Sequence, residues 1–398
     1  MSWNVNHLLT ALKAKYLGLN MPHWTNNSDI PSPCYVLEEQ KLLHNLALIQ
    51  RVQEATGVEI ILALKGFSMW SCFPIMRPYL QGATASGLWE ALLAKEFGKQ
   101  VHAFSPAFKT SEMEEICQTV DHLSFNSIAQ YLLHKSTAHR HNVSIGLRVN
   151  PEHQEADTPL YDPCAPGSRL GITAAQLKEQ DLRDVEGFHI HALCESDSYA
   201  TERMLNAIEQ QFSEYFAKLK WLNLGGGHLM TRADYDVEHL IEVLQRFTAK
   251  YPHLQVILEP GSAVAWDTGP LICEVVDIVE NNGPIGILDI SVTAHMPDVL
   301  EMPYRPNILG AGAADELPYT YKLGGNSCLA GDMLPAYSFA EPLAVGQRLV
   351  FTDMMHYTMV KTTFFNGIQH PAIGVLKTDG TFTLVREFTY QDFKDRLS

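Results

Sequence analysis

Four short segments carry groups whose chemistry is costly to bury unless it is used. Lys65 closes the apolar run IILALK, which places a primary amine at the end of a strand-like segment. His189 and His191 alternate in FHIHAL and so share one strand face. LNLGGGH sets Gly225, Gly226 and Gly227 in succession, where backbone amides can approach an anion without side-chain obstruction. Glu259 precedes Pro260 and Gly261 in LEPGSA, a turn that holds a carboxylate at a strand end.

Each segment alone has a plain structural reading. An isolated lysine can snorkel into water, an interior histidine is commonly a hydrogen-bonded core group, and a glycine run by itself is a weak signal. Together their chemistry is narrower. An amine can bond covalently to an aldehyde, an imidazole can stack on an aromatic ring, glycine amides can hold a phosphate, and a carboxylate can keep a pyridinium nitrogen protonated. These are the four contacts that pyridoxal 5'-phosphate (PLP) needs. No third ligand joins HIH to make a metal site, and no nucleophile triad accounts for the same set.

The elements that must position these groups follow a βα rhythm. Short apolar runs at Ile60–Lys65, Gly82–Ser86, Val101–Ser105, His122–Asn126, Ile145–Asn150, Gly187–Leu193, Trp221–Gly225 and Val256–Glu259 give eight strands, the count of a (β/α)8 TIM barrel. In such a barrel, chemistry sits at the C-terminal strand ends: Lys65, Ser86, Ser105, Asn126, Arg148 with Asn150, His191, Gly225 to Gly227, and Glu259. Helices are expected at Ser127–His139, Thr201–Lys220 and Asp234–Tyr251, and the Pro-rich loop Pro151–Ile172 is a candidate lid. After Gly261, runs at Ile272–Val279, Gln347–Thr352, Tyr357–Phe365 and Thr381–Phe388 are rich in β-branched and aromatic residues, which predicts a separate C-terminal β-barrel or β-sandwich domain. The expected α/β organisation is an N-terminal segment over 1–35, with a helix near Val5–Tyr16, packed on the β-domain; a PLP-binding barrel over 36–270; and the β-domain over 271–398.

Bulk properties bound the function. A chain of 398 residues, 46% hydrophobic, can fill two cores. It has no eighteen-residue apolar run and no signal-peptide order at its N-terminus, so a soluble cytoplasmic protein is expected. Seven cysteines without a CxxC pair argue for reduced thiols, with no zinc site or disulfide framework. A formal charge of −16 disfavours nucleic acid and anionic membranes as partners and suits a cationic small substrate. The absence of GxxxxGK[ST] argues against ATP chemistry.

ALKGF, TASGLWE, LRVNP, FHIHAL, LGGGH, EPG, GNSCLAGD and FTDMMHYT occur in the order seen in the fold-type III PLP enzymes. The chain resembles that family, which includes alanine racemases and the ornithine, arginine and diaminopimelate decarboxylases, from about residue 30 onward. HALCE, VLEMPYRP and FTYQDFKDRLS resemble more narrowly its carboxynorspermidine/carboxyspermidine decarboxylase branch, which serves polyamine synthesis.

The resemblance implies roles. Lys65 would carry PLP covalently, His191 would stack on its ring, Glu259 would pair with the ring nitrogen, and Gly225, Gly226, Gly227 and Tyr357 would hold the phosphate, with Arg148 and Glu90 ordering the site. Cys328 and Asp332 would enter from the other subunit of a homodimer, Cys328 returning a proton to the substrate Cα. Glu195, Asp197, Asp298 and Glu301 would pair with the amines of a polyamine-like amino acid, and Ser262 stands where relatives carry other residues. Thr84 replaces an ornithine-decarboxylase aspartate and Leu329 an acid, which weakens an ornithine reading. The implied reaction releases CO2 from carboxynorspermidine or carboxyspermidine. Its rivals are another decarboxylase or racemase of the same fold and a non-catalytic regulator, the last disfavoured by retention of Lys65 and Cys328.

Overall fold

The computed structural model describes residues 22–155, 162–302 and 304–398. The helix expected near Val5–Tyr16 and residues 156–161 of the loop at 151–172 lie outside the described residues. The chain divides into two compact units, Leu43–Trp266 and Met1–Leu42 with Asp267–Ser398. These limits differ from the expected 36–270 and 271–398. The reason is β1 (Cys34–Glu38), which does not open the barrel but pairs parallel to one strand and antiparallel to another strand of the second unit.

The unit Leu43–Trp266 is the barrel. Its first strand is broken at Ile61 into β2 (Glu59–Ile60) and β3 (Leu62–Ala63). Then come β4 (Gly82–Ala85), β5 (Gln100–Ser105), β6 (His122–Phe125), β7 (Ser144–Arg148), β8 (Gly187–His189), β9 (Trp221–Asn223) and β10 (Gln255–Leu258). Parallel ladders run in sequence from β3 to β10, and β10 pairs back onto β2. With β2 and β3 counted as one interrupted strand, the circuit of eight expected strands closes. Lys65 lies two residues past β3, in the turn at 64–66, so the strand alternation that would set it beside Ile61 and Ala63 ends at Ala63.

The barrel floor is filled by Trp221, which clusters with Ile61 and Ile257. A Cβ at Gly146 or Gly187 would fall 2.2 or 2.0 Å from its indole, so those two strands give up side chains to make room for one large ring. The indole N–H donates to Ser144 Oγ at 2.9 Å and the ring stacks on His122 at 5.2 Å.

The helices start where short polar caps allow. Ser127 accepts from Gln130 N–H ahead of Ile128–Arg140, and Asp236 accepts from His239 N–H ahead of Val237–Lys250. In the latter, Leu240, Leu244 and Phe247 recur at helical spacing and are buried.

The other unit is a connected nine-stranded mixed sheet. It comprises β1, β11 (Leu271–Glu280), β12 (Pro284–Leu288), β13 (Gly312–Ala313), β14 (Tyr319–Gly324), β15 (Met333–Phe339), β16 (Arg348–Phe351), β17 (Ala372–Leu376) and β18 (Phe382–Arg386). The ten-residue β11 joins its two halves: residues up to Glu274 pair with β16, those from Val275 with β12, and the register shifts at Val275/Asp277. The expected strand Tyr357–Phe365 is instead a turn region with a short 3-10 helix at Phe365–Gly367. Tyr357 adopts φ 47, which a strand cannot contain. Among the described residues, no helix is long and apolar enough to cross a membrane.

Candidate active site

Gly66 and Gly261 bring two strand ends together. A Cβ on Gly66 would lie 2.7 Å from Gly261 Cα, so the chain just after Lys65 runs in backbone contact with the chain just after Glu259. Lys65 Nζ lies 3.5 Å from His191 Nε2. The amine opens onto the barrel mouth but is crowded at its sides. Burial, and then the Arg148 guanidinium, lower its pKa against the opposing pull of Glu259. Both effects make the ammonium proton easier to lose than in a free lysine.

The ring facing that amine is held from behind. Gly226 N–H donates to His191 Nδ1 at 2.8 Å. A backbone amide can only donate, so Nδ1 presents its lone pair and the proton of the neutral ring sits on Nε2, toward Lys65. Burial, then Lys65 and Arg148, push His191 well below its ordinary pKa and keep it neutral. Arg148 Nη2 donates to the His191 carbonyl at 3.1 Å, and its guanidinium lies 4.4 Å over the Phe104 ring. Burial lowers this arginine to about 10.

Glu259 is 7% exposed and has a polar neighbour at each oxygen. Asn223 Nδ2 donates to Oε1 at 2.6 Å, and His189 Nε2 lies 3.5 Å from Oε2. Burial alone would raise this carboxyl, but His189, His102 and the Asn223 hydrogen bond outweigh it and hold the group at about 2.

The three glycines do different work. Added Cβ atoms would strike Ile190 O at 2.4 Å from Gly225, Glu259 O at 2.7 Å from Gly226, and Leu193 O at 2.3 Å from Gly227. Gly225 and Gly227 also sit at φ 69 and 88. Gly225 N–H donates to Asn223 Oδ1 at 2.8 Å and Gly226 N–H to His191. Two of the three amides expected to face an anion are therefore spent on the protein's own side chains. Gly227 N–H makes no bond to another described residue.

Residues 86–266 match the family described as pyridoxal-dependent decarboxylase, pyridoxal binding domain. Carboxyaminopropylagmatine decarboxylase of Synechocystis is 50% identical over 93% of this chain and 96% of its own. Carboxynorspermidine/carboxyspermidine decarboxylase of Campylobacter jejuni is 44% identical over 92% and 98%. The chain belongs to the pyridoxal-dependent decarboxylases, in the branch that holds the carboxynorspermidine and carboxyspermidine enzymes. The crystal structure of carboxynorspermidine decarboxylase from Campylobacter jejuni complexed with norspermidine superposes with a TM-score of 0.86 at 42% identity, covering 92% of this chain and 100% of that one.

The residues at the mouth of this pyridoxal-dependent decarboxylase fit its cofactor. An aldehyde needs an amine lone pair, a pyridine ring needs a flat neutral neighbour, and its protonated nitrogen needs an anion. His191 is neutral and Glu259 anionic here, and the setting of Lys65 eases loss of its proton. The Cβ-free glycine run leaves backbone open beside them, with Gly227 N–H available to a phosphate oxygen.

The other residues expected in the site fall into distinct settings. Glu90 Oε2 accepts from Ser86 N–H at 2.6 Å, tying the end of β4 to the first turn of the helix Leu88–Glu96. Glu195 is exposed and strained at φ 46. Asp197, a candidate for substrate contact, caps the helix Ser198–Phe216 by accepting from Ala200 N–H on Oδ1 at 2.8 Å. Ser262 opens a one-turn helix, Ser262–Ala265, directly after the Gly66 contact.

In the β-unit, Asp298 is buried rather than surface-solvated. Its Oδ2 accepts from Tyr304 and Thr358, both at 2.8 Å, while Oδ1 has no hydrogen-bond partner among the described residues. Glu301 is exposed and pairs with Lys361 at 2.5 Å. Asp332, 2% exposed, turns into its own loop and accepts from Thr293 and Ser327 amides at 3.0 and 3.2 Å. It thereby holds the loop on which Cys328 is exposed. Tyr357 is half-buried, its ring 5.9 Å from Lys361 Nζ.

Sequence reasoning missed Asn223, His102 and Phe104. Asn223 stood in plain sight two residues before the glycine run, but no strand-end rule marks it, because it acts sideways onto Glu259 of the neighbouring strand.

Proposed function

We propose that this decarboxylase removes CO2 from carboxynorspermidine and carboxyspermidine, giving norspermidine and spermidine in cytoplasmic polyamine synthesis. The observation that carries the reading is 44% identity with the Campylobacter jejuni enzyme of that name across 98% of its length. A chain with a formal charge of −16 also suits a cationic substrate.

Lys65, His191, Glu259, Gly227 and Tyr357 would hold pyridoxal phosphate, Lys65 covalently. When bound, the cofactor supplies an electron sink for the pair left behind as CO2 departs. Glu259, held anionic, would pair with the ring nitrogen and keep that sink effective. His191 would pack against the ring, with its Nε2 3.5 Å from the Lys65 amine. Cys328 would return a proton to Cα. Asp332 acts through it by fixing its loop. The protein would work as a homodimer, with Cys328 of one protomer serving the site of the other.

A second reading has its own support, the 50% identity with the carboxyaminopropylagmatine decarboxylase of Synechocystis. The candidate substrates share an amino-acid head and differ at the far end, ammonium in one case and guanidinium in the other. CO2 release from carboxynorspermidine, carboxyspermidine and carboxyaminopropylagmatine, with ornithine, arginine and diaminopimelate as comparisons and Lys65→Ala as control, separates them. A kcat/KM at least tenfold higher for the guanidinium substrate would replace the first reading by the second.

A further inference from the structure

Glu259 and the glycine run come from different strands, yet they are joined twice. Glu259 N–H donates to Gly225 O at 2.8 Å, and Asn223 bridges the same two residues through its side chain, giving Nδ2 to Glu259 Oε1 and taking Gly225 N–H on Oδ1. Asn223 is 2% exposed and its register is fixed on both flanks, opposite His189 and Ile257. The next amide in the run, Gly226, holds His191, which reaches Lys65. A single hydrogen-bonded path therefore links the carboxylate, the cradle, the stacking ring and the amine.

We propose that Asn223 is a positioning residue that aims the Glu259 carboxylate and locks it to the Gly225 backbone, so that recognition of the cofactor's ring nitrogen and of its phosphate end is set as one unit. This rests on the reading of Glu259 as the ring-nitrogen partner. A side-chain amide is suited to the task because it donates to one neighbour and accepts from the other with no charge of its own. An aspartate in its place would keep the acceptor for Gly225 but would set a second carboxylate against Glu259, and two such groups at hydrogen-bond distance do not both ionise. The titratable groups around Glu259 are His189 and His102 from β8 and β5, His122 from β6, Arg148 from β7 and Lys65 after β3.

The test uses full-length protein and pyridoxal phosphate itself. Asn223→Asp, Glu259→Gln and the double variant are titrated with the cofactor. The readouts are the dissociation constant, the absorbance band of the lysine-bound cofactor from pH 6 to 9, and the melting temperature without cofactor. Asn223→Asp is expected to weaken binding about tenfold or more and to displace the pH profile of the band. In the Glu259→Gln background the same change is expected to cost less than about twofold, since a glutamine can donate to the new aspartate. Should Asn223→Asp fail to fold, Asn223→Ser in the two backgrounds serves the same comparison. Binding and band within twofold of the parent in a folded variant, or a penalty undiminished by Glu259→Gln, would overturn the proposal. A parent protein that binds the cofactor yet releases no CO2 from the polyamine substrates would instead sink the functional reading and leave Asn223 to these measurements.

Discussion

Gly226 and His191 are joined by a 2.8 Å bond from backbone amide to Nδ1, and its direction decides where the ring proton points. With Nδ1 committed as acceptor, Nε2–H faces Lys65 Nζ at 3.5 Å, a contact that a protonated lysine would oppose. The glycine usually credited to anion binding here sets a histidine tautomer.

Truncating that ring has two separable effects. His191→Ala is expected to lower kcat/KM about 10²-fold through a misplaced reacting group and to leave Gly226 N–H unpaired at a cost of about 1–3 kcal/mol. Steady-state kinetics and urea unfolding measure these independently. Kinetics unchanged in a destabilised variant would reduce His191 to a structural role.

Cys328 is the exposed cysteine among the described residues, on a loop held by Asp332 and by its own amide to Asn366 Oδ1 at 3.0 Å. Cys328→Ala is expected to lower kcat by about 10²–10⁴ while cofactor content, read by absorbance, stays at the parent level. A full rate with the normal amine product would remove it from the proton step.

Acid should destabilise the protein early. Burial holds His102 at about 3, His228 at about 4 and His295 at about 3, against an ordinary value of 6.5. The unfolded chain takes up these protons near pH 6.5 and the folded one does not, so stability falls as pH drops below 6.5 and levels off only near 3 to 4. Three such sites give a slope of at most about 4 kcal/mol per pH unit. The depressed Glu259 carboxyl adds a further loss between about 4.5 and about 2. Urea midpoints at pH 7 and pH 5 check this, with His102→Gln expected to flatten the difference; equal midpoints in the parent would contradict it.

The barrel floor predicts a compensating pair. Gly187→Ala places a methyl 2.0 Å from Trp221 and is expected to destabilise by about 1–3 kcal/mol or more, as overpacking does. Trp221→Phe should absorb part of that cost, so the double variant melts higher than the sum of the single effects allows. Additive losses would place the strain elsewhere.

Much of the site was legible because strand ends can be counted along a chain. The apolar runs located eight barrel strands, and the barrel rule then singled out Lys65, His191, the glycines and Glu259 without any contact being known. The β-unit was read less well. Tyr357–Phe365 has strand composition but turns, because β-propensity records a residue's fit to a half-buried surface and not whether a sheet is there to supply it, whereas Cys34–Glu38 lies in the mixed sheet, on the unit where the end of the N-terminal segment is expected.

By itself the sequence determined which groups stand at the barrel mouth: an amine, an imidazole, a flexible backbone run and a carboxylate, each fixed by its offset from an apolar strand. Only the tertiary structure decided how they engage one another. Asn223 meets Glu259, Gly226 meets His191, and Asp332 turns away from the solvent to hold its own loop. Alternation along one strand assigns faces, but contacts across strands depend on register and barrel closure, and those exist only once the whole circuit has formed.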